Sequence, residues 1–115
     1  GKRSSGAQLA LVENCSVAVM TDRLPAGEAV VRMGEGADDT LLLSVAFETA
    51  GRLSQANGQM TVTLPAESFQ NYGFALLNAE GAETPLPVQE KNGQISFLLD
   101  FTEPVCLLRL TEKAA

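Results

Sequence analysis

Two Asn-Gly pairs within residues 57–101 constrain the fold of this chain more than any other feature. Asn57-Gly58 precedes the alternating run at 59–64, and Asn92-Gly93 precedes a second alternating run at 94–101. Asn-Gly beside hydrophobicity of period two is the strongest short-range signal for a β-hairpin, because both residues tolerate the positive φ angles of a tight turn. The segment therefore predicts antiparallel β structure assembled from hairpins.

Short apolar or alternating runs recur along the rest of the chain, separated by turn residues. The runs fall at 8–21, 28–33, 40–49, 59–64, 72–78, 84–89, 94–101 and 105–111. We expect the first run to break at Glu13-Asn14, and a single helical turn to begin after Pro65. About eight or nine short strands with turns roughly every 8–12 residues predict an all-β, immunoglobulin-like antiparallel β-sandwich, with a closed barrel as the alternative.

The length of 115 residues accommodates one domain with one core. Residues 1–7 are small, polar and basic, so we expect a flexible lead-in there and a single β-sandwich domain at residues 8–112. The chain begins with Gly1 and lacks the charged-then-apolar profile of a signal peptide. We therefore expect a processed or excised piece of a longer protein, from which any export signal has been removed.

The charge balance restricts the classes of partner. The chain has 8 basic and 14 acidic residues, which gives a net charge of −6. Binding to nucleic acid or to an anionic membrane surface depends on Lys and Arg neutralising phosphates. No stretch approaches the roughly 20 apolar residues of a membrane-spanning helix. We therefore expect no nucleic-acid partner and no membrane insertion.

The two cysteines, Cys15 and Cys106, lie near opposite ends of the chain. A disulfide between them would close a very long loop and contribute about 3–5 kcal/mol in the chain-entropy model. It would require the first and last strands to be neighbours. The alternative is that both are small buried hydrophobic residues, since free Cys is among the most buried residue types. The sequence leaves both alternatives open.

The chemistry of the chain points away from catalysis. Histidine is absent, so the commonest general base and metal ligand is missing and no Ser-His or Cys-His pair can form. The candidate acids for a carboxylate pair are Asp38, Asp39, Glu80, Glu83, Asp100 and Glu103. Most lie in predicted turns, where carboxylates are usually solvated or cap the backbone. We expect no enzyme activity and no catalytic, cofactor-binding or metal-binding residue.

Two irregular segments, residues 34–39 and residues 67–72, are the places where a site would be expected. The first contains Asp38-Asp39, and the alternative to a chain without metal is a calcium-binding loop at this pair. The segment lacks the alternating spacing of a dedicated calcium loop. The second contains Tyr72, the only tyrosine of a chain without tryptophan. A sugar site would use exposed aromatic rings. Phe47, Phe74, Phe97 and Phe101 fit the core, which leaves Phe69 and Tyr72 as candidates.

The run at 84–89 carries Pro85 and Pro87 and is predicted to be an edge strand, because proline cannot donate to a β ladder. Its prolines protect that edge from pairing with another chain. We therefore expect the opposite edge of the sandwich to be the one available for strand addition.

From about residue 16 to residue 110 the order of these features resembles a β-module found repeatedly in large surface proteins of Gram-positive gut bacteria. The matching pieces are Leu-Pro-Ala-Gly at 24–27, Leu-Ser-Val-Ala-Phe at 43–47, Met-Thr-Val-Thr-Leu-Pro at 60–65, the strand and turn at 76–81, and Asn-Gly-Gln-Ile-Ser-Phe at 92–97. The resemblance implies a non-catalytic extracellular or cell-surface module, serving as a spacer, stalk or adhesion domain.

Similar sandwiches also stand at the C-termini of extracellular glycoside hydrolases. The alternative function is therefore an accessory, carbohydrate-binding domain of such an enzyme. The expected partners are other domains of a parent protein, with another protein or a glycan as further candidates. Neither resemblance supplies a catalytic residue or a cofactor for a position in this chain.

Overall fold

The computed structural model describes residues 9–20, 27–54 and 57–113. The predicted lead-in at 1–7 and most of the turn predicted at 24–27 lie outside these residues. The described strands are β1 (Ala10–Leu11), β2 (Ser16–Met20), β3 (Glu28–Glu35), β4 (Leu41–Thr49), β5 (Arg52–Leu53), β6 (Gly58–Pro65), β7 (Tyr72–Leu77), β8 (Glu83–Pro85), β9 (Gln89–Lys91), β10 (Gln94–Phe101) and β11 (Val105–Glu112). A single helical turn, α1 (Ala66–Phe69), follows Pro65 as predicted.

The strands form because apolar and polar residues alternate along them. In β10, Ile95, Phe97, Leu99 and Phe101 are buried, while Gln94, Leu98 and Asp100 on the opposite parity are exposed. Successive side chains of a strand point to opposite faces, so this pattern turns one face of the sheet toward a core. Val62 on β6 and Leu108 on β11 are fully buried by the same rule.

Every strand pair in the described residues is antiparallel, and the strands form two sheets. The larger sheet has the order β1-β3-β4-β11-β7-β8, with β5 also paired to β4. The smaller sheet has the order β2-β6-β10-β9. The prediction of an all-β antiparallel fold is therefore confirmed, and two facing sheets are consistent with a β-sandwich. The structure describes eleven strands, whereas eight or nine were predicted. Four of the eleven are only two or three residues long.

The core lies between the two sheets. Phe74 of the larger sheet and Phe97 of the smaller sheet are in contact, with ring centroids 5.3 Å apart. The buried cluster draws residues from both sheets, and α1 adds Ala66 and Phe69 at one end. One continuous hydrophobic core of this kind is what a single domain of this size can build.

The two Asn-Gly pairs have different roles. Asn92 and Gly93 have φ angles of 53° and 76° and join β9 to β10 in the predicted hairpin. Asn57-Gly58 does not form a hairpin, so that prediction was wrong: β6 pairs with β2 and β10, whereas β5 pairs with β4 in the other sheet. The tight turn before it is Ala50-Gly51, with φ angles of 53° and 78°.

The chain crosses between the sheets on both sides of the molecule. The predicted break at Glu13-Asn14 is confirmed, and it takes the chain from β1 in the larger sheet to β2 in the smaller one. On the other side, the run at 84–89 was predicted to be one strand, and that prediction was wrong. The run contains the end of β8, which belongs to the larger sheet, and the start of β9, which belongs to the smaller one. Pro85 and Pro87 lack the N–H groups that a continuous ladder needs. Both short strands lie at sheet edges, as the prolines predicted.

Candidate functional site

The outer face of the larger sheet is the most unusual surface of the described residues. On β4, Leu43, Val45 and Phe47 belong to the core, so Leu42 and Ala46 point to the other side. The same parity on the neighbouring strands adds further apolar residues, together with Arg32 and Arg109. This apolar outer face consists of Val30, Leu42, Ala46, Ala75, Leu77, Val105 and Leu107.

The strand register places several residues of the apolar outer face side by side, with Ser44 and Arg109 between others. Ala46 lies opposite Val30 on one side and Val105 on the other, while Leu107 lies opposite Leu77. Ala46 is only 3% exposed although it faces away from the core, whereas Leu107 is 37% exposed. Antiparallel sheets usually present a polar outer face to water. An apolar one indicates a surface suited to contact with another protein surface.

Two ion pairs lie on this face, because Arg109 lies opposite Leu42 on one side and Ala75 on the other, and Arg32 lies on the same side of β3 as Val30. Arg32 on β3 pairs with Glu48 on β4, and Arg109 on β11 pairs with Glu83 on β8, each with a shortest N–O distance of 2.5 Å. The hydrogen bonds from Arg32 hold the pKa of the Glu48 carboxyl below its ordinary value. The face therefore combines apolar side chains with paired charges, and protein interfaces contain both kinds of residue.

The outer face of the smaller sheet is different. Ala18, Thr61 and Leu98 form one row across its three longer strands, and Ser16, Thr63 and Ser96 form the next. Leu98, 52% exposed, is a large apolar side chain among small and polar ones. This surface is therefore of the solvated kind that the alternating threonines predict.

The candidate acids are distributed and mostly engaged in local contacts. Glu83 pairs with Arg109, and Asp100 accepts a hydrogen bond of 3.0 Å from Nε2 of Gln59. The backbone N–H of Glu80 donates to Oδ1 of Asn78 in the turn after β7. Asp100 and Glu103 line one groove at the end of the sandwich, whose wall includes Cys106.

Both cysteines are free thiols, Cys15 half-buried and Cys106 buried. Burial raises the pKa of each thiol, and for Cys106 the negative charge of Glu103 raises the pKa further. The Cys15 thiol donates to the carbonyl oxygen of Val12 at 3.3 Å. Since the thiolate is the reactive form, raised pKa values make both residues poor nucleophiles and metal ligands. Of the two alternatives for the cysteines, the structure has the unbridged one.

The loop with Asp38-Asp39 is closed by its own backbone. The N–H of Gly36 donates to the carbonyl of Thr40 at 2.8 Å, and Oγ1 of Thr40 donates to the carbonyl of Ala37 at 2.5 Å. Asp38 and Asp39 have φ angles of 55° and 62° and are exposed. Nowhere in the described part of the chain do three His, Cys, Asp or Glu side chains form a group that could hold a metal ion.

The aromatic candidates for a sugar site are committed to packing. Phe69 is only 2% exposed and belongs to the core, and Tyr72 is half-buried against that core. The remaining phenylalanines are buried as well. The segment at 67–72 therefore presents no flat aromatic ring of the kind that stacks on a sugar.

The comparisons with known proteins give no relative. No family model, no curated protein and no solved structure matches this chain. In the residues that the structure describes, no helix has the length and apolar character needed to cross a bilayer.

The apolar outer face was missed by the sequence reasoning, although a signal for it exists. Residues 41–43 are three consecutive leucines, and Leu107 and Leu108 are adjacent. An apolar run without alternation is typical of a strand that is covered on both faces.

Proposed function

We propose that this chain is a non-catalytic extracellular β-sandwich module, serving as a spacer, stalk or adhesion domain in a larger secreted or cell-surface protein. The observation that carries the proposal is the apolar outer face of the larger sheet. Leaving Leu42, Leu77, Val105 and Leu107 in water costs roughly 25 cal/mol for each Å² of apolar surface. A neighbouring domain that covers this face removes that cost.

The proposal includes an immunoglobulin-like arrangement of the strands. Two antiparallel sheets that share one core, joined by connections that pass from one sheet to the other, support this subclass. The extracellular location and the bacterial surface setting rest on the resemblance of the motifs at 24–27, 43–47, 60–65, 76–81 and 92–97. The partner proposed for the apolar outer face is another domain of the same parent protein.

A second candidate is an accessory C-terminal domain of an extracellular glycoside hydrolase. The apolar outer face favours it equally, because such a domain packs on its catalytic neighbour. Its carbohydrate-binding form is less well supported, since Phe69 and Tyr72 pack against the core. Binding on a glycan array that is lost in Tyr72→Ala would favour this candidate over the spacer.

Dye binding tests the proposal. The isolated chain is expected to bind 8-anilinonaphthalene-1-sulfonate on the apolar outer face, and Leu107→Lys is expected to reduce that binding. The matched control is Leu98→Lys, which replaces an exposed leucine on the other sheet and leaves the dye bound. The longer protein encoded by the same gene is expected to bind no dye at this face, because a neighbour covers it. Equal dye binding by L107K and the original chain would reject the apolar outer face as the interaction surface.

Catalysis is tested separately. The isolated chain, offered a broad panel of ester, glycoside, peptide and phosphate substrates, is expected to turn over none of them. Turnover of any substrate that persists through repurification would overturn the non-catalytic assignment.

A further inference from the structure

The two sides of the sandwich are protected differently against pairing with another chain. On one side lie β8 and β9, each three residues long, with Pro85 and Pro87 at the crossing between them. On the other side lie β1, two residues long, and β2, five residues long. Short strands and prolines are two of the devices by which proteins protect sheet edges. Strand β2 has neither of them.

Strand β2 presents an open edge in the part of the chain that the structure describes. It pairs with β6 only, from Ser16 opposite Thr63 to Met20 opposite Gln59. Alternate N–H and C=O groups of such a strand point away from its single partner. Its sequence, Ser-Val-Ala-Val-Met, contains no charge and no proline. These are the properties of an edge that accepts another strand.

We propose that this edge pairs antiparallel with β2 of a second copy of the chain, about a two-fold axis at Ala18. An antiparallel pair of identical strands is symmetric by its nature, so each copy presents the surface that the other needs. In this register Val17 of one copy lies opposite Val19 of the other, and Ser16 lies opposite Met20. The half-buried valines then meet on the core side of the joined sheet, and the exposed residues meet on its outer side.

Charge favours a second copy at this place. Each chain carries a net charge of −6, so two copies repel one another overall. Strand β2 brings no carboxylate to the contact. Its end residue Met20 is 66% exposed and would cover the outer side of the partner's short residues, Ser16 and Ala18. The joined smaller sheets would form one sheet of eight strands.

The contact is small, so the dimer is weak and depends on concentration. Five residues from each copy bury well under the roughly 1,000 Å² of a stable interface. The β2 edge is separate from the apolar outer face, and self-association through it is independent of the parent protein's identity.

Sedimentation of the chain under reducing conditions, up to about 1 mM, tests the proposal. The original chain is expected to show a monomer–dimer equilibrium. Ala18→Lys places like charges directly opposite one another at the axis and is expected to weaken the dimer at least about tenfold. Ala18→Glu is expected to do the same. An equimolar mixture of A18K and A18E is expected to restore dimerisation, because opposite charges then face each other across the axis.

The matched control is Thr61→Lys, which puts the same charge on the same outer face, opposite Ala18 but one strand further in. It is expected to leave the dimer unchanged. A chain that is monomeric throughout the concentration range, or a dimer that A18K does not weaken, overturns the proposal. Failure of the A18K and A18E mixture to dimerise overturns the two-fold register. An edge that instead binds an extended peptide of another protein, with no self-association, also overturns it.

Discussion

Arg32 holds the carboxylate of Glu48 with two hydrogen bonds, from Nη1 to Oε2 at 2.5 Å and from Nη2 to Oε1 at 3.3 Å. In the register of β3 and β4, Arg32 lies opposite Ser44, whereas Glu48 lies four residues further along β4. The arginine side chain therefore passes the row formed by Val30 and Ala46. This accounts for the low exposure of Ser44 and Ala46, 6% and 3%, on a face that points away from the core.

The Arg32–Glu48 pair predicts a contribution to acid stability. The pKa of Glu48 is lower in the folded chain than its ordinary value of 4.5. The contribution of Glu48 to the free energy of unfolding is therefore present above pH 4.5 and is lost as the pH falls through the folded pKa. In Glu48→Gln this part of the pH dependence is expected to disappear. Urea unfolding between about pH 6 and pH 3 measures it. The control Glu83→Gln removes an ion pair whose side chains are 36% and 41% exposed, and it is expected to change stability little. Identical acid profiles for E48Q and the original chain would contradict the assignment.

The two adjacent leucines of β11 are expected to differ sharply in their effect on stability. Leu108 is fully buried and Leu107 is 37% exposed on the apolar outer face. Leu108→Ala leaves a cavity in the core and is expected to lower the free energy of unfolding by about 2–5 kcal/mol. Leu107→Ala is expected to cost less than about 1 kcal/mol. Chemical denaturation of both variants provides the comparison, and similar losses would mean that the two faces of β11 are assigned wrongly.

The turn between β4 and β5 is expected to improve on substitution. Ala50 has a φ of 53°, in a region that costs an alanine roughly 1–2 kcal/mol and that asparagine tolerates better. Ala50→Asn is expected to raise the free energy of unfolding by about 0.5–1 kcal/mol. In the opposite direction, Gly51→Ala is expected to lower the free energy of unfolding, because Gly51 has a φ of 78°, which an alanine adopts only with strain. Steric contact is not the cause, since a Cβ there would meet nothing within 4 Å. A destabilised A50N would show that the turn does not have this conformation in solution.

Cys106 is expected to make the chain sensitive to alkali. Burial raises the pKa of Cys106 in the folded chain above its ordinary value of 9.0. The contribution of the protonated thiol to the free energy of unfolding is therefore fully present below pH 9.0 and is lost as the pH rises through the folded pKa. Cys106→Ala is expected to flatten the decline in stability above about pH 9. Cys15→Ala is the control, and its smaller burial predicts a smaller change in the slope. In the folded chain a thiol reagent is expected to modify Cys15 before Cys106, and the reverse order would contradict the buried position of Cys106.

The strand pattern could be predicted from the sequence where alternation is strict. The inward sets of β6, β10 and β11 follow directly from residues such as Val62, Phe97 and Leu108, because period two leaves only one way to bury them. The pairing of strands could not be predicted in the same way. Asn57-Gly58 has the composition of a hairpin turn, but the strands beside it belong to different sheets. Ala50-Gly51 forms a tight turn without the usual asparagine.

The candidate surfaces were harder to predict than the fold. Phe69 lies in a segment without a period, so its burial depends on where α1 meets the sheets and not on a pattern in the sequence. The apolar outer face depends on which strands are neighbours, since Val30, Leu42 and Leu107 come from distant parts of the chain. The expectation that the edge opposite the prolines is the open one stays a prediction, and the topology places β1 and β2 at that side.

The central place of β11 in the larger sheet has a consequence for synthesis of the chain. Within residues 9–20, 27–54 and 57–113, strands β4 and β7 do not pair with each other, and β11 joins them. Until residues 105–112 have left the ribosome, the larger sheet exists as two separate halves with unpaired inner edges. A nascent chain that stalls before β11 would expose the unpaired edges of β4 and β7 to chaperones and to its neighbours.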